Sequence, residues 1–287
     1  MLCVYHLHTD MSLLDSCSHF EEYLDLAKAA GMTAIGCSEH GRISNWAGNK
    51  LLAKKAGLKY LHACEVYVTS SLLPKQRDNM HSVLIAKDRE GAIELNRLMK
   101  LASEPDHFYY APRITFDELR QISPHIIKTS ACLASPLNRI EMSDEHYMDW
   151  VRCYDYLEIQ HHPDDEQCKY NQRLLKLSLQ TGIPLIAGTD THASSKEKAD
   201  ARRIMMLYKE QSYPGEENFD LVWKNEDELL EAYEKQGSLP RAVYTEAINN
   251  TQVMADSCED WDVYILKFRF SDPISLAKNT PSLIIHI

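Results

Sequence analysis

Histidines and carboxylates at short, repeated spacings are the first features of this sequence that could do chemistry. His6 and His8 stand two apart in Cys3-Val4-Tyr5-His6-Leu7-His8. On a strand, residues i and i+2 face the same way, so both imidazoles can reach one ion. Asp190 and His192 repeat the two-residue spacing in Gly188-Thr189-Asp190-Thr191-His192, directly after the apolar run Pro184-Leu185-Ile186-Ala187. Glu65 lies inside Ala63-Cys64-Glu65-Val66-Tyr67-Val68, where an ionised carboxylate is costly without a cation or a salt-bridge partner. His40 in Ser38-Glu39-His40-Gly41 is a further ligand candidate, and Glu39 could orient a neighbouring ligand. His81 opens the run Ser82-Val83-Leu84-Ile85-Ala86, Cys132 follows Thr129-Ser130-Ala131, and His161-His162 follow Leu157-Glu158-Ile159-Gln160. Taken singly, each has an ordinary alternative. Asp15 can cap a helix, the segment after His40 can be a simple helix-entry loop, and Cys132 can be a small core residue.

These groups need elements to position them. Seven short apolar runs suit strands: Cys3–His8, Ala34–Ser38, Tyr60–Val68, Ser82–Ala86, Ile126–Ser130, Tyr156–Gln160 and Pro184–Ala187. Between them lie helical patterns such as His19–Ala30 and Gln167–Gln180, and Gly31, Gly57 and Gly182 are placed to end helices in a left-handed turn. The alternation predicts a parallel α/β architecture. Because nearly every run contains or precedes a His, Cys, Asp or Glu, the expected form is a barrel whose strand ends share one polar face. The rhythm changes after about Tyr208, with a turn expected at Pro214–Asn218, helices over Asn225–Gln236 and Arg241–Ser257, and a tail beyond. The expected division is a barrel over 1–210, a helical appendage over 211–260 and a tail over 261–287.

Composition narrows the function. A net charge of −11 argues against a broad electrostatic grip on duplex DNA, although bound cations can reverse the sign of one pocket. Eight cysteines without a C-x-x-C pair read as reduced thiols. No apolar stretch of roughly 18 residues and no signal-peptide pattern occurs, so a soluble, cytoplasmic protein without membrane partners is expected.

The motifs together resemble the PHP (polymerase and histidinol phosphatase) family, in particular the N-terminal PHP domain of bacterial C-family DNA polymerase III alpha subunits. The resemblance runs over roughly residues 1 to 260, in family order: His6-Leu7-His8-Thr9 with Ser12-Leu13-Leu14-Asp15, Ser38-Glu39-His40-Gly41, Glu65-Val66-Tyr67-Val68, His81, Ala131-Cys132-Leu133, Glu158-Ile159-Gln160 and Thr189-Asp190-Thr191-His192. It implies a distorted seven-stranded (βα) TIM-like barrel with a small helical C-terminal appendage. It also implies three divalent metal ions, with zinc, manganese and iron all compatible with such donors. His6, His8, Glu65 and Asp190 would hold the first ion, and Asp15, His40 and His192 the second. Glu65 would bridge to a third, also bound by His81 and Cys132.

Two positions depart from the family pattern: Glu39 stands where Asp is usual, and His161-His162 where Asn-His is common. The implied activity is metal-dependent phosphoester hydrolysis with Asp15, His40 and His192 at the chemistry, as a 3′-5′ exonuclease or related phosphodiesterase. Single-stranded DNA or a 3′ end would be the substrate, other replication polymerase subunits the partners, and Arg42, Arg113 and His162 the substrate contacts. No polymerase activity is expected of this chain alone. A small-molecule phosphomonoesterase of the histidinol-phosphatase kind and a non-catalytic docking module are the alternative readings.

Overall fold

The computed structural model describes residues 1–208 and 218–263. Strand β1 (Ala34–Cys37) follows α1 (Phe20–Ala29), and α2 (Trp46–Ala56) leads into the long β2 (Lys59–Thr69). Then come β3 (Met80–Ala86), α3 (Arg89–Ala102), β4 (Arg113–Thr115), α4 (Phe116–Gln121), β5 (Ile126–Thr129), α5 (Pro136–Arg139) and α6 (Tyr147–Arg152). The chain continues with β6 (Leu157–Ile159), α7 (Asp165–Thr181), β7 (Leu185–Ala187), α8 (Lys196–Tyr208), α9 (Glu226–Gln236) and α10 (Arg241–Asp256). Local chemistry accounts for many boundaries. Asp88, Thr115, Asp164 and Asn225 accept hydrogen bonds from exposed backbone N–H groups at the starts of α3, α4, α7 and α9. Gly57 and Gly182 end α2 and α7 with φ of +81° and +79°, while Gly31 (φ +68°) follows the Ala30 cap of α1.

The sheet is mixed, which corrects the expected parallel arrangement. β2 pairs with β1 and β4 in parallel, but β3 runs antiparallel to both β2 and β5. No helix separates β2 from β3, and a parallel pair would need a crossover long enough to return the chain. β4, absent from the expected strands, shares one edge of β2 with β1: residues 59–62 of β2 meet β1, and residues 67–69 meet β4.

The regular ladders do not close into a barrel. They form one five-stranded and one two-stranded sheet (β6–β7), and single parallel bridges Val4–Ile35, Leu7–Thr191 and Thr129–Tyr156 span the gaps. The expected first strand, Cys3–His8, therefore makes no ladder of its own. It is held between β1 and the segment after β7 by backbone bonds from Ser38 N to Leu7 O (2.9 Å) and from His8 N to Thr191 O (2.8 Å).

Two apolar clusters result. The larger lies between strands and helices, with Tyr23, Leu84, Leu95, Leu157 and Leu174 among its members. The smaller gathers residues of the strands and the N-terminal segment, including Cys3, Tyr5, Leu61, Val83 and Ile186. Met254 and Ala255 of α10, with Cys258 just after it, complete it. Among the described residues all eight cysteines are free, and no helix is long and apolar enough to cross a membrane. Most of the expected Pro214–Asn218 turn and the 261–287 tail lies outside the described residues.

Candidate metal centre

His6 and His8 leave the N-terminal segment on one face, and each ring is fixed by a buried acceptor behind it. His6 Nδ1 lies 2.6 Å from Glu158 Oε1 on β6. That carboxylate also accepts from Tyr5 Oη (2.8 Å), Thr129 Oγ1 (2.9 Å) and Gln160 Nε2 (2.9 Å). The close approach needs Gly188, because a Cβ there would sit 2.0 Å from Glu158 Oε1. Behind His8, Ser12 Oγ donates its one proton to Glu39 Oε2 (2.5 Å) and so must accept from His8 Nδ1 (3.2 Å). Glu39 also accepts from the Thr9 hydroxyl (2.6 Å), and Ser12 Oγ accepts from His40 N (3.2 Å). Both rings consequently carry a proton on Nδ1 and turn Nε2 inward. Burial lowers the His6 pKa, but Glu158, Asp190 and Glu65 outweigh it and raise it well above the ordinary imidazole value, so a cation at His6 Nε2 would take the place of a proton.

Those inward Nε2 atoms face oxygens. His6 Nε2 is 3.2 Å and His8 Nε2 3.3 Å from Asp190 Oδ1, and they lie 3.4 and 3.6 Å from Glu65. His6 Nε2, His8 Nε2, Glu65 Oε2 and Asp190 Oδ1 are all buried without a hydrogen-bond partner among the described residues. Carboxylates gathered in a dry site need positive charge beside them, which protons on the histidines or a bound cation can supply. The donor set fits a divalent ion.

The remaining predicted ligands join this nucleus. His192 donates from Nδ1 to the Asp190 carbonyl (2.8 Å), which turns its Nε2 toward Asp15 Oδ2 (3.4 Å) and His40 Nε2 (3.4 Å). His40 touches Asp15 Oδ2 at 2.8 Å and Glu65 Oε2 at 2.5 Å, brought there by a parallel bridge between His40 and Glu65. His81 Nδ1 lies 2.9 Å from Glu65 Oε1, and Cys132 Sγ is 3.6 Å from the same oxygen and 3.5 Å from His81 Nδ1. Three groups hold ligand atoms mutually within 4.8 Å: His6/His8/Asp190, His8/His40/His192 and His40/Glu65/His81. All nine predicted ligands thus gather in one cluster. Its inner members are fully buried, whereas Asp15, His40, His81 and Cys132 sit at a partly open rim.

Electrostatics separates the ligands. Burial would raise the Glu65 pKa, but His81, His40 and His6 more than offset it and hold the carboxyl well below its usual range. Burial opposes ionisation of Asp190 and Asp15 too, and the neighbouring histidines again prevail. His8 goes the other way: burial, then His40 and His192, push it well below the ordinary imidazole value and keep it neutral, as a ligand must be. Two ligand-bearing turns are also strained, with Asp190 at φ +47° and Ala131, just before Cys132, at φ +56°.

The three predicted substrate contacts are placed differently. Arg42 is exposed on the segment leaving His40. Arg113 is buried and donates to the carbonyls of His107 (3.0 Å) and Gln76 (2.7 Å), so it ties two loops together. His162 is fully buried and stacks on Phe219 at 4.8 Å.

Sequence reasoning missed two residues that touch the cluster. Arg202 of α8 grips Asp15 through both its Oδ1 and its carbonyl (2.5 Å each), leaving Oδ2 for the histidines. No spacing signal points to it. Glu158 was seen only as part of a motif. The argument that singled out Glu65, a carboxylate inside an apolar strand, applies equally to Leu157-Glu158-Ile159.

Comparison with known proteins agrees with this placement. The family model described as PHP domain matches residues 5–162. The chain is 31% identical over 290 residues to DNA polymerase III subunit alpha of Borreliella burgdorferi, covering 94% of this chain and 24% of that protein. It is 29% identical over 283 residues to the same subunit of Helicobacter pylori strain J99, covering 88% and 22%. The chain spans about a quarter of the length of these curated relatives. Among solved structures, a putative metal-dependent phosphoesterase from Bifidobacterium adolescentis aligns with a TM-score of 0.47 at 13% identity, over 71% of this chain and 95% of that one. An Endonuclease Q complex with a 27-mer duplex carrying an abasic lesion aligns at 0.44 and 16%, over 66% and 48%. With a family model matched over more than half its length, the chain belongs to the PHP domain family.

Proposed function

We propose that the cluster is a three-ion centre for phosphoester hydrolysis, acting as a 3′-5′ exonuclease or related DNA phosphodiesterase in a cytoplasmic replication setting. The observation that carries this reading is the convergence of His6 Nε2, His8 Nε2, Glu65 Oε2 and Asp190 Oδ1 in one buried site, with the His40, His81 and His192 ligand atoms beside them. His6, His8, Glu65 and Asp190 would hold one ion, and Asp15, His40 and His192 a second. Glu65 would reach a third beside His81 and Cys132. Divalent ions, when bound, supply a nucleophile at neutral pH and neutralise charge building on the phosphoryl oxygens.

The protein's own part is to hold the donors ready. Glu158 and Ser12 keep the protons of His6 and His8 on Nδ1, and Arg202 aims one Asp15 oxygen at the rim. Asp15 and His40 at that partly open rim, with the buried His192 behind them, stand where a phosphoester would enter. The bridged strands are read as a distorted seven-stranded barrel over 1–210, with 211–260 as a helical appendage and 261–287 as a tail. Kinship with DNA polymerase III alpha subunits supports a single-stranded DNA or 3′-end substrate and other replication subunits as partners.

The test is metal analysis together with hydrolysis of 3′-labelled single-stranded DNA and of a phosphomonoester, by wild type and by His8→Ala. About three zinc, manganese or iron ions, with DNA degradation lost in the variant, support the proposal. Hydrolysis confined to the monoester would reassign the substrate to small molecules. A folded protein with neither ion nor activity would leave only a docking role.

A further inference from the structure

Beside the rim, the segment leaving His40 borders a surface groove of about 470 Å³. Gly41 and Arg42 form one wall, Asn96 and Lys100 of α3 another, and Phe108 and Pro112 a third. The groove connects to the metal cluster through Tyr67. That ring lies 5.1 Å from His81 and 6.3 Å from His40, and a Cβ on Gly41 would come within 2.9 Å of both Tyr67 and Pro112.

Three features of this region are unusual together. Phe108 and Tyr110 are 50% and 69% exposed, yet their loop is firmly anchored. His107 bonds Glu118 (2.9 Å), and Arg113 pins the loop to the Gln76 carbonyl (2.7 Å). Tyr110 further holds φ at +62°, a conformation that costs a bulky residue free energy, while Arg77 lies over its ring at 4.3 Å. Arg42, Lys100 and Arg77 are exposed cations on a chain of net charge −11, and none makes an ion pair among the described residues. The acids on the same loop are Glu104 and Asp106, and Asp106 is engaged by His107 at 2.9 Å. Rigidly presented aromatic rings interleaved with cations that have no carboxylate partner among the described residues are the chemistry that holds single-stranded nucleic acid, with bases on the exposed ring faces and phosphates on the charges.

We propose that this groove, extended by Tyr110 on the loop that carries Phe108 and by Arg77 over its ring, binds the single-stranded DNA leading to the metal cluster, with Phe108 and the free face of Tyr110 stacking on bases and Arg42, Lys100 and Arg77 contacting phosphates. The proposal rests on the DNA-hydrolase reading above and specifies how the strand reaches the site. On a chain of net charge −11, these cations and exposed rings mark a path along which a strand would be favoured.

The test is fluorescence anisotropy with a fluorescein-labelled oligothymidylate roughly 15 nucleotides long, its integrity checked on a gel. Bound metal is measured on the same preparations. Phe108→Ala/Tyr110→Ala should weaken binding at least about tenfold, and Arg42→Glu/Lys100→Glu should also lower the slope of log affinity against log salt by about 1. Metal content should equal that of wild type. A control pair with the same charge change, Lys235→Glu/Arg241→Glu on the C-terminal helices, should bind nearly as wild type does. Wild-type binding that both groove variants retain, or an equal loss in the control pair, overturns the groove. Binding that depends on the groove in a protein unable to degrade DNA would uphold the groove and overturn the exonuclease reading. A wild type that binds no DNA overturns both.

Discussion

The two ends of the strand assembly are both buried but are filled by opposite kinds of residues. At the far end, Cys3, Tyr5, Leu61 and Val83 meet Met254 and Ala255 of α10. There the polar atoms are satisfied: Cys3 N donates to Thr251 Oγ1 (2.8 Å), and Lys59 Nζ donates to the carbonyls of Ala255 and Cys258 (2.9 Å each). At the near end, imidazoles and carboxylates converge on one another, and among the described residues His6 Nε2, His8 Nε2 and Asp190 Oδ1 make no well-directed hydrogen bond. One end is built to be stable without help, and the other leaves an electrostatic cost that a bound cation removes. Stability should therefore depend on the far end, and metal affinity and chemistry on the near end.

The sharpest way to break this contrast is His8→Ala. It removes a neutral donor shared by two ligand groups, and hydrolysis of labelled DNA should fall by about a thousandfold or more with loss of bound metal. Retained activity at full metal content would erase the distinction between the ends.

Next in size, Met254→Ala should cost about 3 kcal/mol in urea denaturation by opening a cavity in the far cluster, with metal stoichiometry unchanged. Loss of metal in that variant would mean the ends are coupled.

A buried histidine away from both ends gives a pH test. Burial lowers the His62 pKa from 6.5 to about 4, with Asn96 accepting from its Nε2 at 3.0 Å. The unfolded chain then takes up the proton first as pH falls. Stability is whole above about 6.5, declines between about 6.5 and 4, and levels off below that, for a loss of about 3 kcal/mol. Denaturation midpoints across this window should fall less steeply in His62→Phe than in wild type, and parallel curves would refute the assignment.

The smallest expected effect sharpens the near end alone. Glu158→Gln should weaken metal binding roughly 10- to 100-fold, measured by competition with a chromophoric chelator, because a neutral amide holds the His6 Nδ1 proton less firmly. Gly188→Ala should do the same by displacing the Glu158 carboxylate. Wild-type affinity in both variants would show that His6 needs no support from behind.

Much of the site was legible along the chain because its donors come in local sets. The His6/His8 and Asp190/His192 spacings and the carboxylate of Glu65 in an apolar run each carry a signal within a few residues. Helix limits were equally readable, since caps such as Asn225 and turns such as Gly182 act on their own neighbours. The sheet was less so. Alternation predicted parallel pairing, but the antiparallel β3 depends on a connection that turns back without a helix, and apolar periodicity is blind to strand direction. The Cys3–His8 segment reads as a strand, yet bonds to neighbours on two sides through single bridges.

By itself, then, the sequence determined which residues could ligate and which short elements would carry them, because propensity, capping and spacing act over a few positions. Only the tertiary structure decided who stands behind each ligand. Glu158 reaches His6 across 152 residues and Arg202 reaches Asp15 across 187, contacts set by strand order and facing that no local pattern encodes. The same long-range packing left Phe108 and Tyr110 exposed, and it set α10 against the far end, so that the far end is sealed while Asp15, His40, His81 and Cys132 stay partly open.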